Sequence, residues 1–223
     1  PGVDAHTPAI SSVTFAPTNG VMKIGRYATA TIAVVGGETG LLVGSTMTIN
    51  GIDVRATFAE IGGGSYRVVY TVVQGHTDIP DASDLPVSLR IADASGNNTA
   101  AYTTADAANR PGVDAHVPVI SALTLPNRTY KVGDTVTATA TVTADAAVYT
   151  LGATTINGKA AGNIQKINNT TYTFAITVQE GDTDRTAGTI PVSAVFIDPA
   201  GNQNAAFSTV TRSEERRVGK ECC

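Results

Sequence analysis

Tryptophan is absent from this chain, and it has only three histidines, two methionines and two cysteines. Both cysteines, Cys222 and Cys223, sit at the far end. The body therefore offers no disulfide framework, thiol nucleophile or cysteine-ligated metal site. Charged residues are sparse at 15%, and the formal net charge is −4. A nucleic-acid binder needs a basic stripe to neutralise phosphates, so that class is excluded. There is no run of about 18 apolar residues, hence no membrane insertion by a helix in this segment. No signal-peptide pattern is visible, and the chain opens without an initiator methionine. Amphipathic 3.6-residue periodicity is missing throughout. No His-Glu-x-x-His, phosphate-cradling glycine loop or Ser-His-Asp pattern occurs, which points away from an enzyme.

What is present is a repeat. Pro1-Gly-Val-Asp-Ala-His6 recurs letter for letter as Pro111-Gly-Val-Asp-Ala-His116. Met22-Lys-Ile-Gly25 answers Tyr130-Lys-Val-Gly133, and Ile49-Asn-Gly51 answers Ile156-Asn-Gly158. Gly75-His-Thr-Asp78 pairs with Gly181-Asp-Thr-Asp184, and Asp93-Ala-Ser-Gly-Asn97 with Asp198-Pro-Ala-Gly-Asn202. A period of roughly a hundred residues is too long for a solenoid unit and suits one independently folding domain. The reading is two modules, 1–109 and 110–211, whose shared phase is that of a piece cut from a longer array.

Thr, Val, Ala, Gly and Asn supply strand and turn material. Val136, Ala138, Ala140 and Val142 alternate with threonines, and Ala28, Ala30, Ile32 and Val34 hold the same places in the first copy. Tyr66, Val68, Tyr70 and Val72 match Tyr172, Phe174, Ile176 and Val178, while Val87, Leu89 and Ile91 match Val192, Ala194 and Phe196. A period of two defines one apolar face per strand, and a one-residue slip would expose it. Asn50-Gly51 and Asn157-Gly158 predict type I′ hairpin turns. Short strands with regular turns predict an all-β chain of two tandem antiparallel sandwiches, about seven strands each. Strands are expected near 10–15, 27–35, either side of Asn50-Gly51, 66–73, 87–93 and 99–104.

Residues 212–223 break the pattern. Arg212-Ser-Glu-Glu-Arg-Arg-Val-Gly-Lys-Glu-Cys222 resembles a translated sequencing adapter, and it stands where the first copy leads into its second Pro-Gly-Val-Asp. A scar of that kind carries no fold information and is expected to make no packed contact.

Two further features carry a resemblance. Asp-(three residues)-Pro-x-Ile-Ser opens each module, at Asp4–Ser11 and Asp114–Ser121, and Asp-x-Ala-Gly-Asn closes the second at Asp198–Asn202. With Tyr172-Thr-Phe-Ala-Ile-Thr-Val-Gln-Glu-Gly-Asp-Thr-Asp184, these resemble the tandem bacterial immunoglobulin-like repeats of large secreted or cell-surface, adhesin-type proteins. The first module departs from that pattern, with His76 in place of Asp182 and Ser95 in place of Ala200. The resemblance implies immunoglobulin-like sandwiches in an extracellular or cell-surface array, acting as spacers or adhesive units.

Candidate chemistry is thin. In a sandwich of this topology, the loop before strand F of module one (Asp78, Asp81, Asp84), the linker (Asp106, Asp114) and the F–G turn of module two (Asp198, Asn202) are expected at the module junction. Calcium takes six to eight oxygen ligands from such side chains. The competing reading is turn chemistry, since Asp and Asn hydrogen-bond the local backbone. His6 and His116 repeat in position, which favours a structural or solvated role. Lys23 and Lys131 also repeat, but the buried acid of a Lys–Asn crosslink has no repeated counterpart.

The composition and the resemblance together predict a stalk or spacer whose partners are neighbouring repeats. A glycan- or protein-binding module is the alternative, and it requires exposed loop aromatics, of which Tyr149 is the expected example. An accessory module of a secreted polysaccharide-degrading enzyme is the third reading.

Overall fold

The computed structural model describes residues 2–106, 110–144 and 147–213. The chain divides into two compact units, residues 1–116 and 117–223.

In the first unit the strands are β1 (Ile10–Ala16), β2 (Val21–Lys23), β3 (Tyr27–Val34), β4 (Leu42–Ile49), β5 (Ile52–Asp53), β6 (Ala59–Gly62), β7 (Ser65–Thr71), β8 (Val87–Ala92) and β9 (Gly112–Asp114). One sheet has the order β1-β3-β7-β6 and the other β5-β4-β8. Tyr102 extends the second sheet by exchanging both backbone hydrogen bonds with Leu89. In immunoglobulin lettering this is strands A, B, E and D facing C, F and G. β9 lies parallel to β2, with Val113 opposite Met22.

Inward positions are those set by the alternation. Ala28, Ala30, Ile32, Tyr66, Val68 and Tyr70 meet Met47, Ile49, Leu89 and Ile91 in one buried cluster. The threonines between them face outward, which is why the register is unambiguous.

The second unit holds β10 (Ile120–Pro126), β11 (Thr135–Val142), β12 (Thr150–Leu151), β13 (Thr155–Ile156), β14 (Lys159–Ala160), β15 (Gly162–Asn168), β16 (Thr171–Thr177), β17 (Val192–Ser193), β18 (Phe196–Ile197) and β19 (Val210–Ser213). Its main sheet runs β15-β16-β11-β10-β19. The facing layer is interrupted into β12-β18 and β14-β13-β17. At the interruption the Thr154 hydroxyl replaces a ladder partner, donating to the Val195 carbonyl at 2.8 Å and accepting the Val195 N–H at 2.9 Å. Glycine sits at this irregularity in both units, and in each a Cβ would run into the facing strand, into its backbone in the first and into a valine side chain in the second. A Cβ on Gly44 would lie 2.3 Å from the Arg90 carbonyl oxygen, and one on Gly152 2.7 Å from Val195 Cγ1. Each unit is thus an immunoglobulin-like β-sandwich.

The Asn-Gly turns have the positive φ pairs that a type I′ hairpin requires: 52° and 76° at Asn50-Gly51, 55° and 77° at Asn157-Gly158. Two sequence expectations need correction. Tyr149 is 4% exposed rather than solvent-facing, because its ring stacks on Tyr172 at 5.3 Å. Among the described residues the exposed aromatic is Tyr27. Arg212 and Ser213 fall in the stretch expected to make no packed contact, yet they end β19, which pairs in parallel with β10 at Leu125 and Pro126. The Arg212 guanidinium also donates to the Ile190 carbonyl. The rest of the tail, Glu214–Cys223, lies outside the described residues. A chain ending at Thr209 should therefore be less stable than one ending at Ser213 by about 1–3 kcal/mol, the worth of a few net hydrogen bonds. Denaturant midpoints of the two chains check this, and equal midpoints would remove β19 from the fold.

Candidate functional site

The loop between β7 and β8 is bonded closely to the hexapeptide that ends the first unit. Four letters of the hexapeptide, Gly112, Val113, Ala115 and His116, make contacts there. Val113 exchanges both backbone hydrogen bonds with Ile79, at 2.7 and 2.8 Å. Val113 and Ala115 are 1% and 0% exposed and belong to the core cluster. Gly112 passes so close that a Cβ would meet the Asp81 nitrogen and the Ile79 oxygen at 2.8 Å. The Ala115 N–H donates to Asp78 Oδ1 at 2.7 Å, and Asp78 Oδ2 lies 2.9 Å from His116 Nδ1. The Gly75 N–H donates to the Ala115 carbonyl at 2.9 Å. The hexapeptide is therefore a closing strand of this sandwich.

The residues proposed as calcium ligands have local partners, through side chain or backbone. Asp78 holds Ala115 and His116, and Asp114 Oδ1 accepts the His116 N–H. Asp81 Oδ1 accepts N–H groups from Gly20 and Ala82, and Asp84 pairs with Arg110 at 2.8 Å. The Asp106 N–H donates to the Val13 carbonyl. In the second unit Asp198 Oδ1 accepts the N–H groups of Gly201 and Asn202, both at 2.8 Å, while the Asn202 carbonyl accepts the Asp198 N–H. Among the described residues no three His, Cys, Asp or Glu side chains are grouped as a metal ion would need. Within the first unit the arrangement does not fit a calcium cage of six to eight oxygens.

The first copy of the hexapeptide is placed differently. Asp4 Oδ2 accepts the Ser95 hydroxyl proton at 2.9 Å, and Asn97 Nδ2 donates to the His6 carbonyl at 3.1 Å. Both partners belong to the turn Asp93–Asn97. Burial opposes ionisation of Asp93, but the Asn97 side-chain amide and the N–H groups of Asn97, Ser95 and Gly96 outweigh it and hold the carboxyl below its usual range.

Two tethers had no signal beyond turn composition. Asn50 Nδ2 donates to the Tyr70 hydroxyl at 3.0 Å and to the Thr77 carbonyl at 2.8 Å, and Asn157 Nδ2 does the same to Thr183. Hairpin asparagines thus anchor the following loop in both units. The departure at His76 is also explained. Asp182 Oδ2 accepts the Gln179 N–H at 2.7 Å, and His76 Nδ1 stands 3.3 Å from the equivalent Val73 N–H. Either side chain caps the same turn.

The Gln179 N–H, with Lys159 beside it, keeps the Asp182 carboxyl below its ordinary value. A group whose folded pKa is depressed contributes stability that is complete above its unfolded value, about 4, and is lost as pH falls through the folded value. The second unit should therefore weaken as pH falls below about 4. Asp182→Asn should flatten that dependence in urea midpoints measured from pH 6 to 3; an unchanged slope would mean that other carboxylates carry it.

No protein-family model matches the chain, and no curated protein matches it by sequence. Solved structures overlap it in fold at low similarity. An I-band fragment of titin is 10% identical over 95% of this chain and 67% of its own, with a TM-score of 0.45. The fibronectin(III)-like modules of Clostridium thermocellum CbhA are 12% identical over 95% and 99%, with a TM-score of 0.37. The Yersinia pseudotuberculosis adhesin InvE is 13% identical over 89% and 59%, with a TM-score of 0.29. Among the described residues no helix is long and apolar enough to cross a membrane.

Proposed function

We propose that these two modules are non-catalytic structural spacers of a larger extracellular or cell-surface repeat protein of the adhesin type. The observation that carries this reading is the employment of the polar residues. The loop carboxylates are spent on holding strands and turns of their own module, and the aromatics are spent on the cores. Tyr66, Tyr70, Tyr149, Tyr172, Phe174 and Phe196 are all buried. A glycan grip needs exposed aromatic faces, and Tyr27 alone, without a counterpart in the second copy, makes a poor platform. The spacer reading stands with or without a calcium ion held by Asp78, Asp81, Asp84, Asp106, Asp114, Asp198 and Asn202.

The test is a panel of glycans, matrix proteins and polysaccharide substrates offered to the purified chain. The spacer reading expects no saturable binding tighter than about 1 mM and no hydrolysis. Saturable binding that Tyr27→Ala abolishes would replace it with the binding-module reading.

A further inference from the structure

The two units differ in one place that the repeat makes conspicuous. In the first, the space beside β2 and the β7–β8 loop is filled by β9 and the two residues after it. In the second, the equivalent place is an open groove of about 550 Å³. Its rim is the segment Thr129–Lys131, equivalent to β2, and the loop Gly181–Arg185, equivalent to Gly75–Ile79. Its floor includes Tyr130, Val178 and Ile190. Their counterparts Met22, Val72 and Leu85 are 4%, 1% and 2% exposed, whereas all three floor residues are only partly buried. Among the described residues nothing does for this floor what Val113 and Ala115 do for the first.

We propose that this groove is a docking site for a Pro-Gly-Val-Asp-Ala-His strand supplied by a second copy of the repeat, as its residues 1–6. The hexapeptide is the longest segment repeated without a change, and its second copy shows what four of its letters are for. Glycine allows the close backbone approach, valine and alanine enter the core, and histidine meets an aspartate. The groove keeps the matching parts. Asp184 stands where Asp78 receives Ala115 and His116, and Gly181 stands where Gly75 donates to Ala115. In the first copy the same letters are unspent in this sense, with Val3 94% exposed and no atom within 4 Å of where a Gly2 Cβ would be. The bound strand would add in parallel to Thr129–Lys131, as β9 adds to β2, with backbone bonds giving affinity and the valine giving selectivity.

The identity of the donor rests on the proposed repeat array; the groove's chemistry does not. The intact chain is titrated with a synthetic peptide of the sequence of residues 109–117, and backbone amide shifts are followed. Saturable shifts are expected at Tyr130, Val178, Gly181, Asp184 and Ile190. None is expected at Val21–Lys23 or Ile79, whose groove is already filled. A peptide carrying Gly112→Ala and Val113→Asp should bind more than about tenfold more weakly. No saturation with the native peptide, equal binding of the substituted one, or shifts confined to the first unit would each overturn the proposal. Failure here leaves the spacer reading standing, because that reading falls only to ligand binding or hydrolysis in its own panel.

Discussion

Replacing Phe174 with alanine should remove about 3–5 kcal/mol from the second unit, the usual cost of emptying a buried aromatic site. The ring is 0% exposed and meets Phe196 edge to face at 6.0 Å. Phe196 in turn packs on Tyr172 and Tyr149, so the cavity would open within a chain of four rings. Domains of this size are stable by only about 5–15 kcal/mol, and each kcal/mol is worth roughly 4–8 °C. The melting transition of the second unit should therefore fall by roughly 15–30 °C while that of the first stays put. A loss below about 1 kcal/mol would place the ring outside the core.

Val113→Asp and Val3→Asp make the same change at the same letter of the same hexapeptide, and they should differ sharply. At position 113 the carboxylate enters a core where the native side chain is 1% exposed. Either the charge is buried without a partner or the closing strand peels away and takes its bonds to Ile79 and Asp78 with it. Both routes should cost about 3 kcal/mol or more. At position 3, with the native side chain 94% exposed, the change should stay within about 0.5 kcal/mol. Denaturant unfolding of the two variants decides the matter. Equal effects would mean that the second hexapeptide does not close the first sandwich.

Much of this architecture could be read before any coordinates. β3 and β11, β7 and β16, and β8 were legible because eight or fewer residues with strict alternation leave only one buried face. The Asn-Gly turns were legible because few residue pairs accept two positive φ values. The hexapeptide was harder. It has two apolar letters, too few for a period, and a repeat defines its length but not its phase, since every starting point yields the same spacing. Its overlap with Asp-(three residues)-Pro-x-Ile-Ser, whose aspartate is its own fourth letter, reads as an opening, and as a division between 109 and 110. The compact units divide instead between His116 and Val117. The burial of Tyr149 is hidden from the sequence for a related reason. Its segment alternates poorly, and only the fold brings Tyr172 beneath it. The loop aspartates illustrate the general ambiguity: one oxygen serves a backbone N–H as readily as an ion, and composition does not distinguish them.

The parallel pairing of a strand near the start of each unit with its last strand has a mechanical consequence. In the second unit β10 and β19 run side by side in the same direction, and in the first unit β2 and β9 do so. Tension applied through the two ends of such a module draws these neighbours lengthwise past one another. Every hydrogen bond between them is then strained at once, instead of opening singly from one end as in a peeled hairpin. A module closed by such a strand yields only when the whole row fails together, and without it the pull reaches the weaker turns first.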